Sequence, residues 1–365
     1  IQSVLATRFT TAAASHDLEF GVRYHEDGED RFQEDDRYGM NGGRMFLAAA
    51  GTPGSNANRV TEADAIAFFI QDEILIGRWR ITPGLRYESI DFQVRNYGNA
   101  DPNRTGANLR ITTNDVNALV PGVGVSYNVS PALDLFAGVH KGFAPPGAGA
   151  NAETEVEESI NYETGFRLTS NLANAEVIAF FNDYSNLLGR DTLSSGGTGS
   201  GDLFNGGEVD VHGLEVAVDR ELRSGMTVFP LRLAYTWTEA TFQSSFETSF
   251  ADWAPEVFAG DEVPYSPEHQ LALLAGIDRG RWNANAQLSW VGAMRTEPGR
   301  GPIEEGTGTD SYFTTDLTVG YDVISALEVF VQARNVTDET HIVARRPAGL
   351  RPGMPRTLMM GATWK

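Results

Sequence analysis

A two-residue period of hydrophobicity recurs along almost the whole chain, and it limits the possible folds more than any other feature. In Arg281-Trp282-Asn283-Ala284-Asn285-Ala286-Gln287-Leu288-Ser289-Trp290 every even position is apolar, and every odd position from 283 on is polar. Between Arg78 and Glu88 one face carries Trp79, Ile81, Pro83, Leu85 and Tyr87, and the other carries Arg78, Arg80, Thr82, Gly84, Arg86 and Glu88. Phe313, Thr315, Leu317, Val319 and Tyr321 oppose Thr314, Asp316, Thr318 and Gly320, and the stretch Leu327 to Arg334 repeats the pattern. Successive side chains of a strand point to opposite faces, so each segment reads as a strand whose two sides meet different surroundings. A soluble two-sheet sandwich and a membrane barrel both satisfy that pattern.

Three features favour the barrel. Aromatics stand near the ends of the apolar faces, as in Trp79 and Tyr87, Trp282 and Trp290, Phe313 and Tyr321. Such girdles are expected where a barrel wall meets the two lipid interfaces. The opposite faces carry Arg, Glu, Asp, Asn, Gln and Gly, which suits a wet interior. Connections alternate in length, with short turns near 14–17, 76–78, 128–132, 170–172, 222–226, 278–281 and 323–326. Long polar stretches lie between them, at about 25–62, 90–115, 143–158, 186–207, 238–263, 294–310 and 336–352. A sandwich has no reason to place all its long loops on one side.

Counting between turns predicts fifteen strands: 1–12, 17–28, 60–76, 78–92, 112–128, 132–144, 158–169, 172–186, 206–220, 226–239, 264–278, 281–294, 309–323, 326–336 and 354–365. The segment 37–50 has room for a further hairpin. With fifteen strands the first and last run the same way, whereas bacterial single-chain barrels have an even number. An open edge in lipid leaves backbone groups unpaired at several kcal/mol each. The fold class expected is therefore all-β, a transmembrane antiparallel barrel whose first strands lie outside residues 1–365. The opening Ile1-Gln2-Ser3-Val4 has neither an initiator Met nor a signal-peptide pattern.

Composition narrows function mostly by exclusion. A formal charge of -21 with no long basic patch argues against nucleic acid as a partner. The absence of Cys removes disulfides and thiolate metal sites. No apolar run approaches the length of a membrane helix. The histidines 16, 25, 140, 212, 269 and 341 are scattered, without metalloprotease spacing. No G-x-S-x-G elbow is present, and the Gly/Ser run 194–201 lacks the Lys-Ser/Thr of a phosphate loop. No enzyme, catalytic residue, bound metal or cofactor is expected.

Several strings resemble the TonB-dependent outer-membrane receptor family. Phe136-Ala137-Gly138-Val139-His140-Lys141-Gly142-Phe143-Ala144-Pro145-Pro146 is similar to its mid-barrel strand ending in an aromatic and prolines, and Asn161-Tyr162-Glu163-Thr164-Gly165 to the strand that follows. Val211-His212-Gly213-Leu214-Glu215 resembles a G-x-E strand, and Pro267-Glu268-His269 a P-x-H entry. Arg334-Asn335-Val336-Thr337-Asp338 and Gly353-Met354-Pro355-Arg356 resemble the closing pair of strands. The six occur in the family's order over about 78–365. The family usually ends on an aromatic, whereas here Lys365 follows Trp364.

The resemblance implies a 22-stranded barrel, with seven strands and a plug before Ile1. It also implies active import of a ferric chelate across the outer membrane by a monomer coupled to TonB. The wording of 136–146 and the acidic stretch 24–38 are most similar to ferric citrate receptors. Two other functions fit the alternation: a passive porin of about 16 strands, or an adhesin working through its loops. Candidate ligand residues are Arg345, Arg346 and Arg351 in the last long loop, because guanidinium forks suit carboxylates. Balance against lipopolysaccharide phosphates is the alternative use of that charge. Arg78, Arg80 and Arg86 are expected to pair with carboxylates of plug or wall. The run Glu26 to Asp36 reads as a solvated loop, with a Ca²⁺ site as the alternative.

Overall fold

Short turns set the frame. Gly77, Gly225 and Gly280 each open a two-residue turn with φ of 59°, 60° and 64°. Positive φ at that position matches the twist of the strands a tight hairpin joins. The computed structural model describes residues 1–145, 156–186, 188–190, 203–205, 207–247, 253, 256–345 and 349–364. Fifteen long strands follow one another: β1 (Gln2–Thr11), β2 (Ala14–Gln33), β3 (Ala57–Ile76), β4 (Trp79–Asn96), β5 (Arg110–Ser130), β6 (Leu133–Ala144), β7 (Glu157–Thr169) and β8 (Asn174–Ser185). Then come β9 (Val209–Ser224), β10 (Thr227–Phe242), β11 (His269–Arg279), β12 (Trp282–Val291), β13 (Tyr312–Ile324), β14 (Leu327–Arg334) and β15 (Thr357–Trp364). They form a single sheet in chain order, and no helix is found among the described residues.

Each of the fifteen expected strands is present, with two local corrections. The first turn is Ala12–Ala13 rather than 14–17, because Thr11 already pairs with Ala14. Strands β2 and β3 run further into the acidic region than expected, to Gln33 and from Ala57. The hairpin allowed for at 37–50 is real, with Arg37–Asn41 paired to Arg44–Ala49.

Contacts divide the chain into two compact units. One comprises Ile1–Glu73, Pro83–Gly122 and Phe143–Glu157, and holds β1, most of β2 to β4, the first half of β5 and the 37–49 hairpin. The other comprises Ile74–Thr82, Val123–Gly142 and Glu158–Lys365, and holds β7 to β15 almost entire.

The second unit shows what the alternation does. Register places Trp282 beside Tyr321, Tyr321 beside Val329, and Val329 beside Ala362. The next row on the same face joins Ala284, Val319, Val331 and Met360. From β12 to β15 this face carries no charged residue. It is also bare: Trp282 is 59% exposed, Val331 47%, Leu358 70% and Met360 82%. The other face carries Asn283, Asn285, Gln287, Asp316, Glu328, Gln332 and Arg334. Among the described residues only Ala67, Ile90, Val116, Ala118, Val209, Ala240, Phe242 and Val257 are buried apolar side chains. A soluble sandwich would bury its apolar faces against each other, so this inverted partition rules the sandwich out.

The exposed face is banded. At the turn end Trp282 meets Tyr321 with ring centres 4.6 Å apart, and Trp79 meets Tyr127 at 4.6 Å. At the loop end Tyr235, His269 and Trp290 stack at 6.2 and 6.0 Å. Trp282 and Trp290 close a nine-residue stretch of one strand, within the ~9–11 tilted residues that cross a bilayer.

Candidate functional site

The long connections follow the same end of successive strands, and several of their described residues are held by side-chain hydrogen bonds. In the first unit, Asn58 is 2% exposed, and its amide donates to the carbonyls of Gly98 and Asp101 at 3.1 and 2.7 Å. Its own oxygen accepts from Arg104 Nε at 2.8 Å. Arg104 reaches on to Asp30 with both terminal nitrogens, and its guanidinium lies over Phe32 at 5.0 Å and Tyr97 at 5.3 Å. Asp101 accepts from the backbone N–H of Thr105 and Gly106, each at 2.9 Å. Those amide donors favour the carboxylate and hold its pKa below the ordinary 3.8.

Four carboxylates of the acidic run next to this latch have protein partners. Asp30 takes Arg104, Glu29 lies 3.7 Å from Arg31, Asp35 accepts from Asn56, and Asp36 accepts from Gly51 N and Tyr38. No group of three or more metal-ligating side chains is found among the described residues.

In the second unit a small core of Val209, Phe242 and Val257 anchors the loop edge beneath Phe246 and Trp253. Beside it Asp261 accepts from Arg300 at 3.1 Å and from Phe258 N at 2.9 Å, and Glu262 accepts from Arg295 at 2.8 Å. These two arginines were not singled out by sequence, because each partner lies more than thirty residues away.

The structure separates the three candidate arginines of the last loop. Arg345 is half-buried; its Nε donates to the Gly308 carbonyl, and its backbone N lies 3.4 Å from the Tyr265 hydroxyl. Arg351 is exposed, and among the described residues its guanidinium makes no hydrogen bond or ion pair. Arg346 lies outside the described residues. A short pairing of Ala344 with Arg351 brings the backbone of Arg345 and Arg351 close together. Of the expected wall arginines, Arg86 pairs with Glu88 on its own strand, while Arg78 donates to the Val129 carbonyl rather than to a carboxylate.

The motif residues brace the wall. Asn335, 3% exposed with φ of 47°, donates through its amide to the carbonyls of Glu339 and Met354, each at 2.9 Å. It also accepts from Glu339 N at 2.9 Å, and its own N–H donates to Asp316. Arg356 donates to Asp338 at 3.0 Å, so the two closing motifs clasp the base of the last loop. The Phe136 ring lies against Gly165, and Arg167 stacks over that ring at 4.5 Å. His269 accepts or donates at Nδ1 with the Tyr235 hydroxyl, 3.0 Å away.

Comparison with known proteins agrees with this architecture. Residues 2–336 match the family described as TonB dependent receptor-like, beta-barrel. A metal-pseudopaline receptor, CntO, of Pseudomonas aeruginosa is 25% identical over 316 residues, covering 83% of this chain and 41% of that protein. The ferric-catecholate import receptor Fiu from E. coli K12 superposes with a TM-score of 0.73 at 18% identity, over 100% of this chain and 54% of that one. The siderophore receptor PiuA from Acinetobacter baumannii gives 0.74 at 14% identity, over 100% and 55%, and the ferric citrate transporter FecA gives 0.69 at 21%, over 99% and 53%. The chain thus spans about half the length of these relatives or less. Members of the family are transport receptors of the outer membrane and not enzymes. An inverted wall, two closing motifs that clasp the base of its last loop and a match over 2–336 lead to one assignment: this chain belongs to the TonB-dependent receptor-like β-barrel family.

Proposed function

We propose that this chain forms part of the wall and mouth of an outer-membrane receptor that imports a ferric chelate, ferric citrate or another siderophore. Energy arrives from the inner membrane through TonB acting on a plug domain outside residues 1–365. The observation that carries the reading is the partition of β12 to β15: an uncharged, exposed apolar face backs directly onto a face of Asn, Gln, Asp, Glu and Arg. Such a wall stands between hydrocarbon and a wet interior. The unpaired Arg351, with Arg345 close by, supports an anionic cargo, since guanidinium groups match carboxylate geometry. In the described residues β1 pairs only with β2 and β15 only with β14, which supports further strands completing the wall. The working receptor is a monomer in lipid, with loops facing lipopolysaccharide.

Uptake tests this reading. Cells carrying the full-length receptor should accumulate radioactive iron supplied as ferric citrate or another ferric siderophore, saturably and only with intact TonB. Uptake that persists without TonB and never saturates would identify a porin. Surface binding to host or matrix without any iron uptake would identify an adhesin.

A further inference from the structure

The turn end of the exposed face carries a row of donors without acceptors. Register aligns Thr227 with Arg279, Arg279 with Trp282, and Trp282 with Tyr321. Residues paired directly across strands share a face, so all four belong to the face of Trp282. Arg279 is exposed, and among the described residues its guanidinium makes no hydrogen bond or ion pair. The indole N–H of Trp282 and the hydroxyls of Thr227 and Tyr321 are likewise without hydrogen-bond partners there, whereas Trp290 at the other girdle donates to Ser311. The nearby carboxylates Asp278, Asp322 and Glu328 fall on the opposite face by alternation.

Beginning at the Trp282–Tyr321 end of this row, and running over β12 to β15, lies an apolar groove of about 640 Å³, lined by Trp282, Val319, Tyr321, Val329, Val331 and Met360. Its wall is uncharged throughout. A row of donors leading into an apolar channel matches one kind of molecule: a phosphate head with a hydrocarbon tail. We propose that this face is a specific site for an anionic glycerophospholipid of the periplasmic leaflet. Its phosphate sits on Arg279 between Thr227 and the Trp282 indole, and one acyl chain lies along the groove. A guanidinium held near an aromatic ring suits a phosphate at the edge of hydrocarbon, where water competes less for the charge. A zwitterionic head brings its own cation to the same place and gains less. The site rests on the membrane reading above.

The test uses the full-length receptor in nanodiscs of equimolar phosphatidylglycerol and phosphatidylcholine, with the retained lipid identified by native mass spectrometry. Phosphatidylglycerol should be enriched over phosphatidylcholine by about tenfold, the discrimination of one charge-assisted contact. Arg279→Gln should abolish the enrichment, and Val331→Trp, which fills the groove, should lower retention of both lipids. Iron uptake by each variant is measured in parallel, as neither residue touches the cargo path. Equal retention of both lipids by the unaltered receptor, or unchanged enrichment in Arg279→Gln, overturns the site while uptake leaves the transport reading intact. Cross-linking of Trp282 faces between two receptors would give the groove to a second copy instead. Absence of the receptor from the outer-membrane fraction would overturn both.

Discussion

The side-chain amide of Asn335 donates to the carbonyl of Met354 at 2.9 Å, so two strands' motifs are joined across the base of the loop that carries Arg345 and Arg351. Asn335 is buried and holds a positive φ that few residues other than glycine and asparagine accept readily. Asn335→Ala removes its hydrogen bonds to the carbonyls of Glu339 and Met354 and to the N–H of Glu339, at about 0.5–1.5 kcal/mol for each bond lost. Proteolysis should then cut within 336–353 while the remaining strands stay protected. Equal resistance in variant and parent would show that the clasp is dispensable.

The exposed face should reject charge and the opposite face should tolerate it. Leu317 is 43% exposed on the uncharged side, and Thr318 follows it on the polar side. Leu317→Arg should cost about 2–4 kcal/mol if it lies near the bilayer midplane. Thr318→Arg should cost far less. Urea titration in lipid vesicles measures both, and equal effects would contradict the assignment of faces.

Gly361 is needed because the Phe330 ring occupies its side-chain space; an added Cβ would sit 2.6 Å from Phe330 Cζ. The obstacle is a side chain, so it can be removed. Gly361→Val should lower stability, and a second substitution, Phe330→Ala, should recover part of the loss. Purely additive losses in the double-variant cycle would mean that the two residues do not meet.

Acid should release the 97–109 loop. The carboxylate of Asp101 is held below its ordinary 3.8 by the N–H groups of Thr105 and Gly106. A depressed folded pKa contributes stability that is complete above the ordinary value and is lost as pH falls through the lower, folded one. The protection factors against amide exchange at Thr105 and Gly106 should therefore be flat from neutral pH down to about pH 4, then fall in stronger acid. Asp101→Asn should flatten that extra acid dependence. An unchanged profile in the variant would place the titrating group elsewhere.

The wall was legible in the sequence because a strand between two solvents writes its period into the side chains. Trp282 to Trp290 and Phe313 to Tyr321 show it with hardly a break. Where β2 and β3 extend beyond the apolar band, both faces are wet; hydrogen bonding continues but the hydrophobic period stops, so those ends read as loop. The first turn was misplaced because Ala12–Ala13 has no turn residue to announce it. Motifs such as Arg334–Asp338 and Gly353–Arg356 were visible as strings, while their mutual clasp depends on a contact 18 residues long. The loop latch was hidden for a stronger form of the same reason, since Asp30 and Arg104 are 74 residues apart. Nothing in the local sequence marks Arg345 as held on Gly308 and Arg351 as unpaired.

The central claim is that alternate residues of β13 face hydrocarbon and a polar interior. Residues 1–365 hold no Cys, so single cysteines at Leu317, Thr318 and Val319, with any Cys outside this stretch replaced, can each carry a nitroxide in the lipid-embedded, full-length receptor. Power-saturation spectroscopy should find high accessibility to oxygen and low accessibility to a polar nickel chelate at 317 and 319, with the oxygen response falling at 318. Low oxygen accessibility at all three positions, as for a strand covered on both faces by protein, would contradict the account.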